Sequence, residues 1–182
     1  MATMDVKARE WTLEGSGPIV PGHEYSLKTS RNQDKRLVYG VRDYGVNLNW
    51  SDKPQAAISF RRSSGSSAPI KYGETVALHV KGGNWLYYKS RTWGINLDFS
   101  SDPKYEWEIL GEKPDTAVQA GVPLALYNAV EKDMVVYCSR PVGINLRWGT
   151  DCEEWFAGID NATKDYLKEG FKVGWKIAKW LF

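Results

Sequence analysis

The strongest constraint on this chain is a twelve-residue phrase that recurs at a fixed interval. It reads YGVRDYGVNLNW from Tyr39, YKSRTWGINLDF from Tyr88 and YCSRPVGINLRW from Tyr137, each copy starting 49 residues after the one before. The shared pattern is Tyr-x-x-Arg-x-x-Gly-(Val/Ile)-Asn-Leu-x-(Trp/Phe). A second signature, Gly-x4-Leu, lies upstream of each copy in GHEYSL (22–27), GETVAL (73–78) and GVPLAL (121–126). Downstream, AAISFRR, KYEWEIL and EEWFAGI each supply another short apolar run. Every unit therefore holds four short strand-like runs, and three units make twelve.

The periodicity inside the units is that of strands. Val46-Leu48-Trp50, Ile95-Leu97-Phe99 and Ile144-Leu146-Trp148 alternate with polar residues at period two, as half-buried strands do. Arg-x-x-Gly just before them is a tight-turn signal, since glycine takes the positive φ that hairpin turns need. Hairpin tips are expected at 42–45, 91–94 and 140–143. A solenoid has smaller units, and a propeller usually needs four or more blades. What remains is an all-β barrel of six strands closed by a triangle of three hairpins, a β-trefoil. Its domain is expected over 20–160, with repeats at about 22–70, 73–119 and 121–160, after an N-terminal segment 1–19. Pairing across the turns sets Tyr137 opposite Leu146 and Ser139 opposite Ile144. On that register Tyr39, Tyr88 and Tyr137 share the inner face with Trp50, Phe99 and Trp148, all as core.

The central copy, residues 72–110, resembles a β-trefoil repeat of the fascin, MIR and ricin-type lectin kind. The common features are Gly-x-x-Val-x-Leu, a Gly-rich turn before an aromatic-Leu strand, and a fourth strand bearing Trp. The resemblance covers about 20–160 and implies the fold. The Gln-x-Trp signature of ricin-type lectins is absent. Tyr105 stands at that spacing before Trp107, Glu153 before Trp155, and the first unit has no Trp there. Ricin-type sugar residues are therefore not carried over.

Composition narrows the function by exclusion. A net charge of +2 is too near zero for a dedicated nucleic-acid binder. With two histidines, His23 and His79, and no nucleophile-elbow, zinc or phosphate-loop motif, no enzyme, metal or cofactor is expected. Cys138 and Cys152 lack metal-ligand spacing and read as reduced thiols. MATMDVKAREWTLEGSG has no apolar core of a secretory leader, so a cytoplasmic location is expected, with non-classical secretion as the alternative.

Binding is the remaining class. Arg42, Arg91 and Arg140 with Asn47, Asn96 and Asn145 fall on the outward face of the hairpins. Either they tie their own turns by local hydrogen bonds, or they form repeated sites for a polar ligand such as a glycan. Asp43-Tyr44 and Thr92-Trp93 place aromatics at two tips, where exposed rings can stack on sugars, whereas the third tip carries Pro141-Val142. His79, Asn84 and Trp85 form a further polar-aromatic group.

The period changes after Ile159. Leu167, Phe171, Trp175, Ala178 and Phe182 recur at helical spacing over 160–182, with Lys164, Lys168, Lys172 and Lys176 on another face. Asp160 or Thr163 can cap that helix. Docking of its aromatic stripe on the barrel competes with membrane or partner binding through Lys168, Phe171, Lys172, Trp175, Lys176 and Trp180. The leading expectation is a lectin-like carbohydrate-binding protein, membrane-active if its tail inserts. The alternative is an intracellular protein-interaction or cytoskeleton-binding module.

Overall fold

The computed structural model describes residues 9–111, 113–150 and 152. It is all-β, with twelve strands: β1 (Trp11–Leu13), β2 (Leu27–Thr29), β3 (Arg36–Tyr39), β4 (Leu48–Ser51), β5 (Ile58–Arg61) and β6 (Thr75–Val80), then β7 (Asn84–Tyr88), β8 (Leu97–Ser100), β9 (Trp107–Leu110), β10 (Ala125–Asn128), β11 (Asp133–Tyr137) and β12 (Leu146–Trp148). One 3-10 turn, Ser30–Asn32, is the only helical element longer than a single residue among the described residues.

Six of these strands close on themselves. Antiparallel pairing joins β1 to β2, β5 to β6, β6 to β9 and β9 to β10. The two remaining joints are short bridges beside β2 and β10, Tyr25 with Ile58 and Trp11 with Leu124. Each is a reciprocal backbone pair, at 2.7 and 3.0 Å for Tyr25–Ile58 and at 3.2 and 2.8 Å for Trp11–Leu124. A closed ring leaves no unpaired edge. Residues at alternate positions point inward along each strand, which buries Leu13, Leu27, Ile58, Phe60, Leu78, Ile109 and Leu126 in one core.

The strand β1 corrects the expected domain edge at residue 20. Trp11 and Leu13 are fully buried members of that core, so the barrel starts before the segment 1–19 ends. The first strand of each unit thus precedes its Gly-x4-Leu run rather than closing the unit. Glu10-Trp11 and Glu106-Trp107 repeat the same device. The indole N–H of Trp11 donates to the Val135 carbonyl at 2.8 Å and that of Trp107 to the Leu86 carbonyl at 2.7 Å. The Glu10 carboxylate accepts the Tyr137 N–H at 2.8 Å, and Glu106 accepts the Tyr88 N–H. Each Glu-Trp pair pegs a hairpin to the barrel wall, Glu10-Trp11 the later β11–β12 and Glu106-Trp107 the preceding β7–β8.

The other six strands form three hairpins, β3–β4, β7–β8 and β11–β12. Their register is the expected one, with Tyr39 opposite Leu48, Tyr88 opposite Leu97 and Tyr137 opposite Leu146. Trp50, Phe99 and Trp148 are half-buried where full burial was expected; with Tyr39 they pack against the core from its edge. The cause is a belt of rings. Tyr39 meets Phe99 at 5.9 Å, Tyr88 meets Trp148 at 6.2 Å, and Tyr137 meets Trp50 at 5.7 Å between centroids. Each contact joins one hairpin to another, and six rings complete the circuit. Gly83 in the β6–β7 turn lies under this belt, where a Cβ would sit 2.7 Å from the Phe99 ring and 2.9 Å from Tyr39.

The two ends of the barrel close differently. At one end the Ile70 N–H donates to the Ile19 carbonyl at 2.9 Å, Val118 to Ile70 at 2.8 Å, and Ile19 to Val118 at 2.8 Å. That triangle of backbone bonds is sealed by three side chains with no exposure. At the other end the three hairpin loops meet through Gly45, Gly94 and Gly143. A Cβ on Gly94 would lie 3.1 Å from the Gly45 Cα, and one on Gly143 would lie 3.2 Å from the Gly94 Cα. All three have φ near +80°, so glycine is required here both for backbone angle and for contact.

Cys138 and Cys152 are joined in a disulfide, with Cα atoms 5.3 Å apart. This overturns the reading of two reduced thiols. Cys138 continues β11 toward the hairpin loop and is buried, so the bond fixes residue 152 against the third hairpin. The expected C-terminal helix, with Lys168, Phe171, Lys172, Trp175, Lys176 and Trp180, lies outside the described residues.

Candidate functional site

The hairpin loops are built by their own arginines and asparagines. Asn47 Oδ1 accepts the Arg42 N–H, Asn96 Oδ1 the Arg91 N–H and Asn145 Oδ1 the Arg140 N–H, each at 2.9 Å. Each guanidinium then turns back along its hairpin. Arg42 donates to the Leu48 carbonyl, Arg91 to Leu97 at 3.3 Å and Arg140 to Leu146 at 3.2 Å. Two also reach a neighbouring loop, Arg91 to the Gly45 carbonyl at 2.9 Å and Arg42 to the Gly143 carbonyl at 3.3 Å. These bonds hold the glycine contacts together, so the arginine and asparagine types are committed to the loop frame before any ligand arrives.

The frame leaves a cleft of about 560 Å³ between the first loop and the second hairpin. Arg42, Asp43, Tyr44, Gly45 and Asn47 line one side, and Lys89 to Trp93 with Asp98 line the other. Six of the nine residues expected to bind ligand therefore converge here: Arg42, Asp43, Tyr44, Asn47, Arg91 and Trp93. Asn96, Arg140 and Asn145 do not line it. Tyr44 is 44% exposed. Trp93, expected to stand free in solvent, is half-buried because the Tyr44 ring packs edge-on against it with centroids 6.3 Å apart.

Charge is unevenly distributed across the cleft. Asp98 bridges Lys89 at 3.2 Å and Arg91 at 3.3 Å and also accepts the Phe99 N–H at 2.8 Å. The Asp98 bond raises the Lys89 pKa above its ordinary value. The Arg42 guanidinium meets only neutral acceptors, the Leu48 and Gly143 carbonyls and Asn49 Oδ1, and burial lowers its pKa. Lys89 and Asp98 were missed in the sequence because they occupy variable positions of the repeated phrase. They differ between copies, and that difference was the available signal.

The third loop is of another character. Arg140 is pushed down to about 10 by burial and by the nearby charge of Arg147, which burial itself lowers to about 10. Pro141 and Val142 stand where the other tips carry Asp43-Tyr44 and Thr92-Trp93. The His79 group takes a different place altogether. His79 pairs across β6–β7 with Trp85, rings 5.0 Å apart and edge-on, and desolvation lowers its pKa. Among the described residues no cluster of His, Cys, Asp and Glu has the arrangement of a metal site, and no helix is long and apolar enough to cross a membrane. The chain matches no protein-family model, no curated protein and no solved structure.

Proposed function

We propose that this chain is a β-trefoil of the lectin kind, binding carbohydrate in the cleft between its first two hairpin loops. The fold reading is supported by the closed ring of six strands, the three hairpins beside it and the threefold contacts at both ends. One observation carries the binding reading: an aromatic pair, Tyr44 and Trp93, sits in an open cleft beside Arg42, Asp43, Arg91 and Asp98. Sugars present apolar C–H faces and a rim of hydroxyls. A site for them needs ring surfaces next to charged and polar groups that accept and donate in fixed directions. Arg42 and Arg91 are held by backbone bonds, so they are already oriented, and little side-chain entropy is lost on binding.

The Cys138–Cys152 bond supports an oxidising setting, which favours secretion over residence in the cytoplasm. A glycan array tests the binding reading. Specific spots retained by the full chain and lost in both Tyr44→Ala and Trp93→Ala are the expected result. Spots unaffected by either change would remove this cleft as the site.

A further inference from the structure

We infer that the cleft selects an acidic sugar, one bearing a carboxylate, and that each chain holds one such residue; this rests on the carbohydrate reading above. The first argument concerns how the arginines are paired. Arg36 has Glu14 at 2.6 Å, Arg62 has Glu74, and Arg91 has Asp98 at 3.3 Å. Arg42 lines the cleft and spends its bonds on two carbonyls and one amide oxygen. A guanidinium carries five N–H donors, and three acceptors leave it with donors to spare. Neutral acceptors also leave its charge uncompensated, so an incoming anion gains a charge-assisted bond with no protein carboxylate to displace.

The second argument is the balance of the lining. Three cations, Arg42, Lys89 and Arg91, face two carboxylates, Asp43 and Asp98. Asp98 is shared between Lys89 and Arg91, so one carboxylate offsets only one of those two cations. The lining is left with one positive charge in excess, and Arg42 bonds no carboxylate. A carboxylated sugar matches that excess, with its acid group toward Arg42 and its hydroxyls toward Asp43 or Asp98. Tyr44 and Trp93 supply the apolar contact that a free inorganic anion would not use.

The third argument sets the number of sites. At the positions of Lys89, Trp93 and Asp98 the third copy has Cys138, Val142 and Arg147, and the first has Gly40, Tyr44 and Asn49. Cys138 is bonded to Cys152, and Arg147 adds a like charge beside Arg140 where Asp98 compensates Arg91. The full set of lining residues therefore occurs once, where the first loop faces the second hairpin.

Calorimetric titration of the full chain with methyl β-D-glucuronide, methyl β-D-glucoside and inorganic phosphate provides the test. The expected result is one glucuronide per chain, bound at least about tenfold more tightly than the glucoside, with phosphate weaker than either sugar. Rising salt should weaken the glucuronide and leave the glucoside unchanged. Arg42→Gln should bring the two sugars to equal affinity, while Trp93→Ala should weaken both in parallel. If Arg42→Gln does not fold, the wild-type ratio and the Trp93 variant decide the matter. Equal binding of both sugars by the wild type overturns the acid selectivity and leaves the carbohydrate reading standing. Phosphate binding as tightly as glucuronide, or two or more sugars per chain, also overturns the inference. If neither sugar binds, both readings fall.

Discussion

The two ends of this barrel solve one closure problem in opposite ways. At the Ile19–Ile70–Val118 end, three segments exchange backbone hydrogen bonds and plug the opening with side chains of zero exposure. At the Gly45–Gly94–Gly143 end, the loops touch through bare backbone and are held from outside by arginines. A plug of apolar side chains tolerates little change, because every position is packed on all sides. A contact made by backbone leaves the adjoining side chains free to vary. The three loops therefore keep one frame while their tips diverge into Asp43-Tyr44, Thr92-Trp93 and Pro141-Val142. The sealed end carries stability, and the glycine end carries the candidate site.

The largest test of that contrast is Ile70→Ala. Loss of a fully buried side chain from the plug should cost about 2–5 kcal/mol in a denaturant titration, with no direct effect on the distant cleft. A cost below about 1 kcal/mol would show that the plug is not the stabilising end. At the opposite end, Gly94→Ala adds a Cβ 3.1 Å from the Gly45 Cα at φ +79°. The expected cost is about 1–3 kcal/mol. Gly22→Ala is the control that sharpens it, since Gly22 has nearly the same φ of +78° with nothing within 4 Å. If the two alanine variants melt alike, the loops do not depend on glycine contact.

Acid should act on the sealed end. Arg62 binds Glu74 and the carbonyls of Ser66, Ala68 and Pro69, so it fastens the loop leading to Ile70. The Arg62 hydrogen bond holds the Glu74 pKa below its ordinary value. A depressed carboxylate pKa contributes stability that is present above the unfolded value and lost as pH falls through the folded one. The urea midpoint of the wild type should therefore drop on acidification below about pH 4, and that of Glu74→Gln should drop less. The difference should be no more than about 1 kcal/mol, and identical acid profiles would show that the pair contributes nothing. The smallest stability effect belongs to Tyr44→Ala, within about 0.5 kcal/mol by melting, although sugar binding should fall. A large loss of stability would show that Tyr44 belongs to the frame.

Much of the frame was legible because it is repeated. Tyr137 opposite Leu146 follows from a period-two pattern and a turn glycine, and both are local. The start of the barrel was hidden for the opposite reason. Trp11-Thr-Leu13 is only three residues long, and its match to Trp107 is interrupted in the middle copy, where Ala57-Ile58 replaces Glu-Trp. The matching Glu10-Trp11 and Glu106-Trp107 dipeptides were the signal that could have placed it. The glycine contacts, the aromatic belt and the pairing of the first loop with the second hairpin depend on how the units pack, which no local pattern encodes. Six of the nine expected ligand residues, the arginines and asparagines, were chosen by repetition, and Asp43, Tyr44 and Trp93 as tips that differ. Repetition is the mark of the frame, and the cleft is set apart by residues that do not repeat, Lys89 and Asp98 among them. The disulfide eluded the sequence because two cysteines 14 residues apart have no distinctive spacing.

The belt of rings has a consequence for how the protein is made. Trp50 leaves the ribosome early, yet its partner Tyr137 is in the last hairpin. The indole of Trp11 waits longer still, for a carbonyl 124 residues further along. At about 5–20 residues per second of synthesis, that interval is on the order of ten seconds. During it the first strands have neither a closed ring nor a complete belt, and their edges are open to other chains. Contacts so distant in sequence also make for slow, all-or-none folding. A nascent chain stopped before β11 should therefore be collapsed but unfolded, and protease resistance should arise only after the third hairpin has emerged.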